Sequence, residues 1–157
     1  MAKFTIHNIE DWKLWDKFVE DSIQGTIFSK YDYLESTGLE YKCFYIQKGK
    51  EVKAGVSIVL SGDKCVLDDM VIYNGIIFKN DVTQKPCKAM AERFNISEFV
   101  INCLTERYQY IELALAPQFK DLRPFLWHNY HSEKKHDKFE LDLRYTSYLN
   151  ISELSCS

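Results

Sequence analysis

Two hydrophobic periodicities organise the first part of the chain, and the first of them is helical. Apolar residues recur every three or four positions and predict an amphipathic helix over residues 9–21. The residues that form this face are Trp12, Trp15, Phe18 and Val19. Asn8 is the expected N-cap, because its side chain can accept hydrogen bonds from the first turn. A shorter helix is expected over residues 30–36, with Ser29 as its cap and Gly38 as its end.

From residue 40 onward the apolar period is two, which is typical of strands. Residues 41–47 and 52–60 predict two strands joined by a turn at residues 48–50. The alternation within residues 52–60 predicts that one face of this hairpin is buried. A third strand over residues 64–67 runs back along the second and completes an antiparallel meander.

The second half begins with an apolar stretch over residues 70–78, which is broken by the letters YNG. The longest helix is expected over residues 88–107, followed by a strand over residues 110–116 and a charged turn. The apolar face of this helix, which is expected to face the core, consists of Ile96, Phe99, Val100, Cys103 and Leu104. Alternation predicts a closing strand over residues 139–143. Because helices and hairpins mix without a regular βαβ alternation, the predicted fold class is α+β.

Length and composition indicate one soluble globular domain. The chain has 157 residues, of which 46% are hydrophobic and 27% charged, enough to bury a sizeable core. We assign residues 1–144 to the domain and residues 145–157 to a C-terminal tail. The net charge of -3 is too mild to recruit DNA or an acidic membrane by bulk electrostatics. No run reaches the ~20 apolar residues of a membrane span, and the polar N-terminus does not resemble a signal peptide, so a cytoplasmic protein is expected.

Cysteine and glycine spacing exclude several classes of site. The five cysteines are odd in number and form no CxxC pair, which predicts free thiols in a reducing compartment. No two glycines are two positions apart, and neither GxGxxG nor GxxxxGK[ST] occurs. This argues against nucleoside-triphosphatases and dinucleotide-binding enzymes, whose backbone amides must approach phosphate closely. No cofactor is therefore predicted from a recognisable motif.

The histidines suggest a metal site, but their spacing does not support one. His128, His131 and His136 lie within nine positions, and imidazoles at this density are able to bind zinc. The spacing fits neither HExxH nor a zinc-finger pair. The segment is also rich in lysine and glutamate, so the favoured interpretation is a solvated turn and no metal is predicted.

Two charged residues and one aromatic residue each allow a local and a functional interpretation. Asp69 stands beside Asp68 at a strand end, where it can cap a turn or contact a substrate. Arg123 can bind a ligand carboxylate or phosphate, but pairing with Asp121 within the turn is favoured. Trp127 can pack as part of the core or a lid, or offer a platform to a ligand.

Three segments resemble a known family when taken in order. They are WDKFVEDSIQGTIFSKYDYLES at residues 15–36, YNGIIF at residues 73–78 and DLRPFLWHNY…FELDL over residues 121–143. Together they resemble the N-terminal half of FemAB-like proteins, the peptidoglycan-bridge aminoacyltransferases and acyltransferases of the GNAT superfamily. The resemblance implies a GNAT-like fold, in which a mixed, mostly antiparallel twisted sheet is flanked by helices. It also implies transfer of an acyl or aminoacyl group from acyl-CoA or aminoacyl-tRNA to an amine.

The resemblance carries expectations about partners and site residues as well. FemAB-like proteins contain two GNAT-like halves, and the acyl-donor site belongs chiefly to the second. This chain resembles the first, so it is expected to be the acceptor-side half or a fragment, completed by a second GNAT-like half or a homodimer. The implied acceptor is a small-molecule or peptidoglycan-precursor-like amine, with Tyr73, Arg123, Trp127 and Asp69 as substrate-binding candidates. The alternative is a non-catalytic module that binds a small ligand or a partner.

Overall fold

A computed structural model describes residues 3–148 of the chain. In chain order its elements are β1 (Phe4–Asn8), α1 (Trp12–Asp21), α2 (Tyr31–Thr37), β2 (Glu40–Lys48), β3 (Glu51–Ser61), β4 (Lys64–Val66), β5 (Gly75–Phe78), α3 (Pro86–Thr105), β6 (Tyr110–Ile111) and α4 (Arg123–Trp127). Two short 3₁₀ helices occupy Ile27–Ser29 and Lys135–Asp137. The predicted α+β class is confirmed. Within residues 3–148, no helix combines the length and apolar character needed to cross a bilayer.

One mixed sheet contains all six strands. Its order is β1-β2-β3-β4-β6, and β5 pairs with β3 beside β4. Every pair is antiparallel except β4 and β6, which run parallel. The predicted meander of β2, β3 and β4 is therefore present. β3 is long enough to pair with β4 through residues 59–61 and with β5 through residues 54–57.

α1 begins later than the sequence predicts, because Asp11 and not Asn8 is its cap. The Asp11 carboxylate accepts hydrogen bonds from the backbone N–H groups of Lys13 at 2.8 Å and Leu14 at 3.2 Å. Asn8 is instead the last residue of β1, where it pairs with Phe44 of β2. The prediction failed because Asn8 is engaged in strand pairing, which its local propensity to cap a helix does not reveal.

At the start of α2 a tertiary contact, rather than the Ser29 side chain, binds a free backbone N–H group. Ser29 belongs to the preceding 3₁₀ turn, and its carbonyl accepts a hydrogen bond from Trp15 Nε1 at 2.7 Å. The backbone N–H of Tyr31 donates to the Asp16 carboxylate of α1 at 2.8 Å. Gly38 ends α2 in the left-handed conformation with φ of 68°, as predicted.

Both faces of β3 are buried, which contradicts the prediction of a single buried face. All of residues 54–59 are buried, and a core lies on each side of the strand. The core facing α3 includes Ala54, Val56, Ile58, Ile96, Val100 and Leu104. The other core includes Val59 together with Trp15 and Val19 of α1. The fold is thus three-layered, with α1 and α3 on opposite faces of the sheet.

Two strands predicted toward the C-terminal end of the described chain are shorter than expected or absent. β6 is confined to residues 110–111, although a strand was predicted over residues 110–116. Residues 139–143 form no strand, and Leu141 and Leu143 are 42% and 71% exposed. Apolar alternation creates a suitable side-chain pattern, but a strand also needs a neighbour with which to exchange backbone hydrogen bonds. Of the predicted tail, residues 149–157 lie outside the part that the structure describes.

Candidate functional site

The sheet is interrupted beside β5, because the edge of β5 that faces away from β3 pairs with none of the described strands. The parallel pairing of β4 and β6 extends to Glu112, whose backbone N–H donates to the Cys65 carbonyl at 2.9 Å. Among the described strands, β5 has β3 as its one hydrogen-bonded neighbour. Side chains and loops therefore meet its other edge. We call this place the β5 junction and define it by Gln24, Thr26, Tyr73, Asn74 and Ala114.

Asn74 holds the junction together. Its backbone N–H donates to the Ala114 carbonyl at 2.8 Å, and its Oδ1 accepts a hydrogen bond from the Ala114 N–H at 2.8 Å. The side chain is almost entirely enclosed, since Asn74 is 6% exposed. The chain then turns at Gly75 with φ of 97°, and a Cβ at this position would lie 2.8 Å from Leu115 Cδ2. Asn74 thus binds Ala114 as a strand partner would. The next position, Gly75, has no room for a larger residue.

The loop after α1 runs along the same edge of β5. Gln24 is buried, and its Oε1 accepts a hydrogen bond from the Phe78 N–H at 3.2 Å. Further along the loop, the Phe28 ring lies 6.1 Å from the Tyr73 ring. In sequence Thr26 lies between these two contacts, so it belongs to the loop that follows this edge.

Two buried polar atoms have no hydrogen-bond partner among residues 3–148, and both belong to the junction: Asn74 Nδ2 and Thr26 Oγ1. An unpaired buried polar group costs about 1–3 kcal/mol, and such groups normally bind water or a ligand. The amide nitrogen can only donate, whereas the hydroxyl can donate or accept. Asn74 therefore offers a buried donor, and Thr26 a buried hydroxyl, that can each hydrogen-bond an oxygen acceptor such as a carbonyl.

Of the predicted site residues, Tyr73 lies at the junction and Asp69 lies in the loop that precedes it in sequence. The Tyr73 ring packs edge-on against Phe28. The Asp69 side chain is exposed. The turn-capping role falls to Asp68, whose carboxylate accepts a hydrogen bond from the Met70 N–H at 2.9 Å.

Arg123 and Trp127 lie together in a second cluster on α4. Arg123 donates from Nε and a terminal nitrogen to the two carboxylate oxygens of Asp121, at 2.8 and 2.6 Å. Its guanidinium also lies 5.3 Å from the Phe94 ring centre of α3 and 5.7 Å from that of Trp127. The local pairing favoured by the sequence is thus present, and none of these contacts reaches the β5 junction. Pro124 lies in the first turn of α4, where its missing N–H is tolerated, and does not break the helix.

Replacing Arg123 by alanine is expected to raise the pKa of Asp121. The hydrogen bonds from Arg123 hold that pKa below its ordinary value. The pair therefore stabilises the fold fully above the unfolded pKa of about 3.9 and loses this effect as the pH falls through the lower folded pKa. A carboxyl NMR titration measures the shift, and Lys120→Ala is the matched control that should leave it unchanged. An unaltered Asp121 titration in Arg123→Ala would contradict the pairing.

The histidines do not converge. His128 is half-buried with its ring centre 5.6 Å from that of Phe139, and burial lowers the pKa of His128. His131 and His136 are exposed. In the described chain, no group of three or more His, Cys, Asp or Glu side chains is arranged to hold a metal ion.

The cysteines in the described region are free thiols: Cys43, Cys65, Cys87 and Cys103. Burial raises the pKa of the Cys43 thiol and of the Cys65 thiol to about 12. Both are therefore protonated near neutral pH and unsuited to act as nucleophiles. Cys156 lies outside the described residues.

Two concave regions elsewhere have less distinctive chemistry. A cavity of about 20 Å³ at the start of α3 has room for roughly one water, and within it Lys53 lies 3.5 Å from Glu92. An open groove of about 440 Å³ is lined by Trp12, Glu35 and Tyr41, among others. There the Tyr41 hydroxyl donates to the Glu35 carboxylate. In each region a charged or hydroxyl group thus pairs with a protein carboxylate, unlike the unpaired atoms of the β5 junction.

Sequence reasoning missed Gln24, Thr26 and Asn74. The available signal was the YNG break at residues 73–75, where a polar residue and a glycine interrupt an apolar stretch. Comparisons of the chain with protein-family models, with curated proteins and with solved structures found no match. A functional assignment therefore rests on the junction and on the sequence resemblance.

Proposed function

We propose that this chain is a GNAT-like domain that contributes to the transfer of an acyl or aminoacyl group to an amine. The observation that carries the proposal is the buried, unpaired Nδ2 of Asn74, at the point where the sheet parts. The element order supports it, since an antiparallel meander is followed by a helix that connects β5 to β6. The YNGIIF segment of the FemAB-like resemblance also contains Tyr73 and Asn74.

The chemistry requires a donor aimed at the carbonyl oxygen of the acyl group. The amine nitrogen attacks the carbonyl carbon of a thioester or ester, and negative charge develops on the oxygen. A C–N bond forms, the C–S or C–O bond breaks, and the leaving thiolate or alkoxide takes up a proton equivalent to the one the amine loses. Asn74 Nδ2 is suited to stabilise the oxyanion, because its Oδ1 is fixed by Ala114 and the site is shielded from water.

Other junction residues would position the substrate. The Thr26 hydroxyl can hydrogen-bond a second polar group of the substrate, while Tyr73 and Phe28 flank the junction with aromatic surface. Asp69, Arg123 and Trp127 remain candidate contacts for parts of the acceptor further from the reacting carbonyl. The donor classes are acyl-CoA and aminoacyl-tRNA, and the acceptor class is a small-molecule or peptidoglycan-precursor-like amine.

Two conservative variants test the assignment. Asn74→Asp keeps an oxygen for the Ala114 N–H but removes the Nδ2 donor, so we expect transfer to fall about 10²–10³-fold. Thr26→Val removes an unpaired buried hydroxyl without changing shape, so we expect unchanged or higher stability together with weaker substrate binding. Thermal unfolding with and without each donor measures binding. Mass spectrometry of the acylated amine, with a panel of amines, measures transfer.

Thr105→Val is the matched control, because that hydroxyl donates within α3 to the Ile101 carbonyl. It should leave both binding and transfer unchanged. Loss of stability without loss of binding in Thr26→Val would argue that the hydroxyl is structural. Absence of binding and transfer with every donor in the wild-type chain would reject the acyltransferase proposal.

A non-catalytic binding module is the second candidate, and the composition of the junction favours it. Its polar side chains are amides and hydroxyls, which bind ligands well but exchange protons poorly near neutral pH. This function would be supported by a donor or amine that raises the melting temperature of the wild type, but not of the Thr26 and Asn74 variants, and that yields no product. Product formation would support the transferase.

A further inference from the structure

The described chain ends in a segment that has the side-chain pattern of a strand but forms no helix and pairs with none of the described strands. Apolar residues occupy every second position from Phe139 to Tyr145, and charged residues lie between them. Phe139 packs edge-on against Phe125 with ring centres 5.4 Å apart. Beyond this anchor the exposed fraction rises from 42% at Leu141 to 71% at Leu143 and 96% at Tyr145. The segment therefore leaves the body of its own subunit and presents an apolar face to solvent.

The sheet has a matching free edge at residues 112–116. The backbone N–H groups of Glu112 and Ala114 point inward, toward Cys65 and Asn74. Successive residues of an extended chain direct these groups to opposite sides, so those of Leu113 and Leu115 point outward. No strand of the described structure lies beyond this edge. Natural proteins usually protect such an edge with charges, a bulge or a covering segment.

We propose that residues 139–145 pair with residues 112–116 of a second copy of this chain, in a reciprocal exchange that forms a closed dimer. A second copy is the occupant because one chain carries both the unpaired strand and the unpaired edge. Tyr145 is too exposed to be seated on its own subunit. A two-fold arrangement satisfies both edges at once and leaves no further edge of this kind for a third copy.

The exchange also bears on the β5 junction without depending on its function. Residues 112–116 contain Ala114, whose backbone is bound on its inner side by Asn74. A strand on the outer side would fix the same backbone from the opposite direction. The dimer would thus stiffen the wall that holds Asn74 in place, whether the junction transfers an acyl group or only binds a ligand.

Sedimentation equilibrium and amide hydrogen exchange of the full chain test the exchange. The wild type should form a dimer. Its amides at residues 113 and 115, and the alternate amides of residues 141–145 that face the partner, should become more protected as protein concentration rises. Leu143→Pro removes a backbone donor from the pairing strand, and each dimer contains this change twice, so we expect the dissociation constant to rise about tenfold or more. Leu143→Lys should also weaken the dimer by removing an apolar contact.

Val82→Lys is the matched control, since Val82 is also an exposed apolar residue, at 85%, but lies in a loop outside both segments. It should leave the dimer intact. A monomer at every concentration would overturn the proposal. Protection of both segments that does not depend on concentration would show pairing within one chain instead, and a dimer insensitive to Leu143→Pro would place the interface elsewhere.

Discussion

Replacing Trp15 by alanine is expected to lower the free energy of unfolding by about 3–5 kcal/mol, the usual cost of removing a large buried aromatic side chain. Trp15 is fully buried under β3, and its ring lies 5.5 Å from that of Tyr45. Its Nε1 donates to the Ser29 carbonyl, which would be left without this donor. Urea unfolding followed by far-ultraviolet circular dichroism measures the change without relying on tryptophan fluorescence.

Two further variants separate the buried contact from the general effect of losing a tryptophan. Trp127→Ala removes a ring that is 55% exposed and should cost about 1 kcal/mol or less. Gly55→Ala should cost about 1–3 kcal/mol in the wild type, because the new Cβ would lie 2.7 Å from the Trp15 ring. In a Trp15→Ala background this cost should fall. Additive costs, to within about 0.5 kcal/mol, would contradict the close contact.

Replacing Gly75 by alanine is expected to cost about 2–3 kcal/mol. Roughly 1–2 kcal/mol comes from imposing a Cβ on a backbone with φ of 97°, and about 1 kcal/mol comes from overpacking against Leu115, 2.8 Å away. Gly62→Ala is the matched control, since its φ of 62° is also positive but nothing lies within 4 Å. Chemical unfolding of both variants isolates the packing part. Equal costs would show that Leu115 moves aside freely.

The helices and the meander follow from local periodicity, because one apolar face is enough to specify them. Trp15 and Val19 recur at helical spacing and are both buried on α1, and α3 buries its predicted residues Ile96, Val100 and Leu104. Gly38 ends α2 because few other residues adopt its left-handed conformation at low cost. These features depend on neighbours within a few residues, which the sequence displays directly.

The candidate site could be predicted only in part. Tyr73 was named and lies at the β5 junction, whereas Arg123 and Trp127 form a separate cluster on α4. Asn74 and Thr26 were missed, because an asparagine before a glycine and a threonine in a loop are ordinary turn residues. Their importance arises from burial without a partner, which depends on segments far apart in the chain.

The sequence by itself determined the α+β class, the positions of the three longer helices and the antiparallel meander, since each is set by a repeating local pattern. Only the tertiary structure decided that Asp11 caps α1, that β3 is buried on both faces and that residues 139–143 pair with none of the described strands. It also brought Asn74 to Ala114 across 40 residues. Caps, strand partners and unpaired donors depend on which residues, distant in sequence, lie beside one another in the fold. Local periodicity does not contain that information.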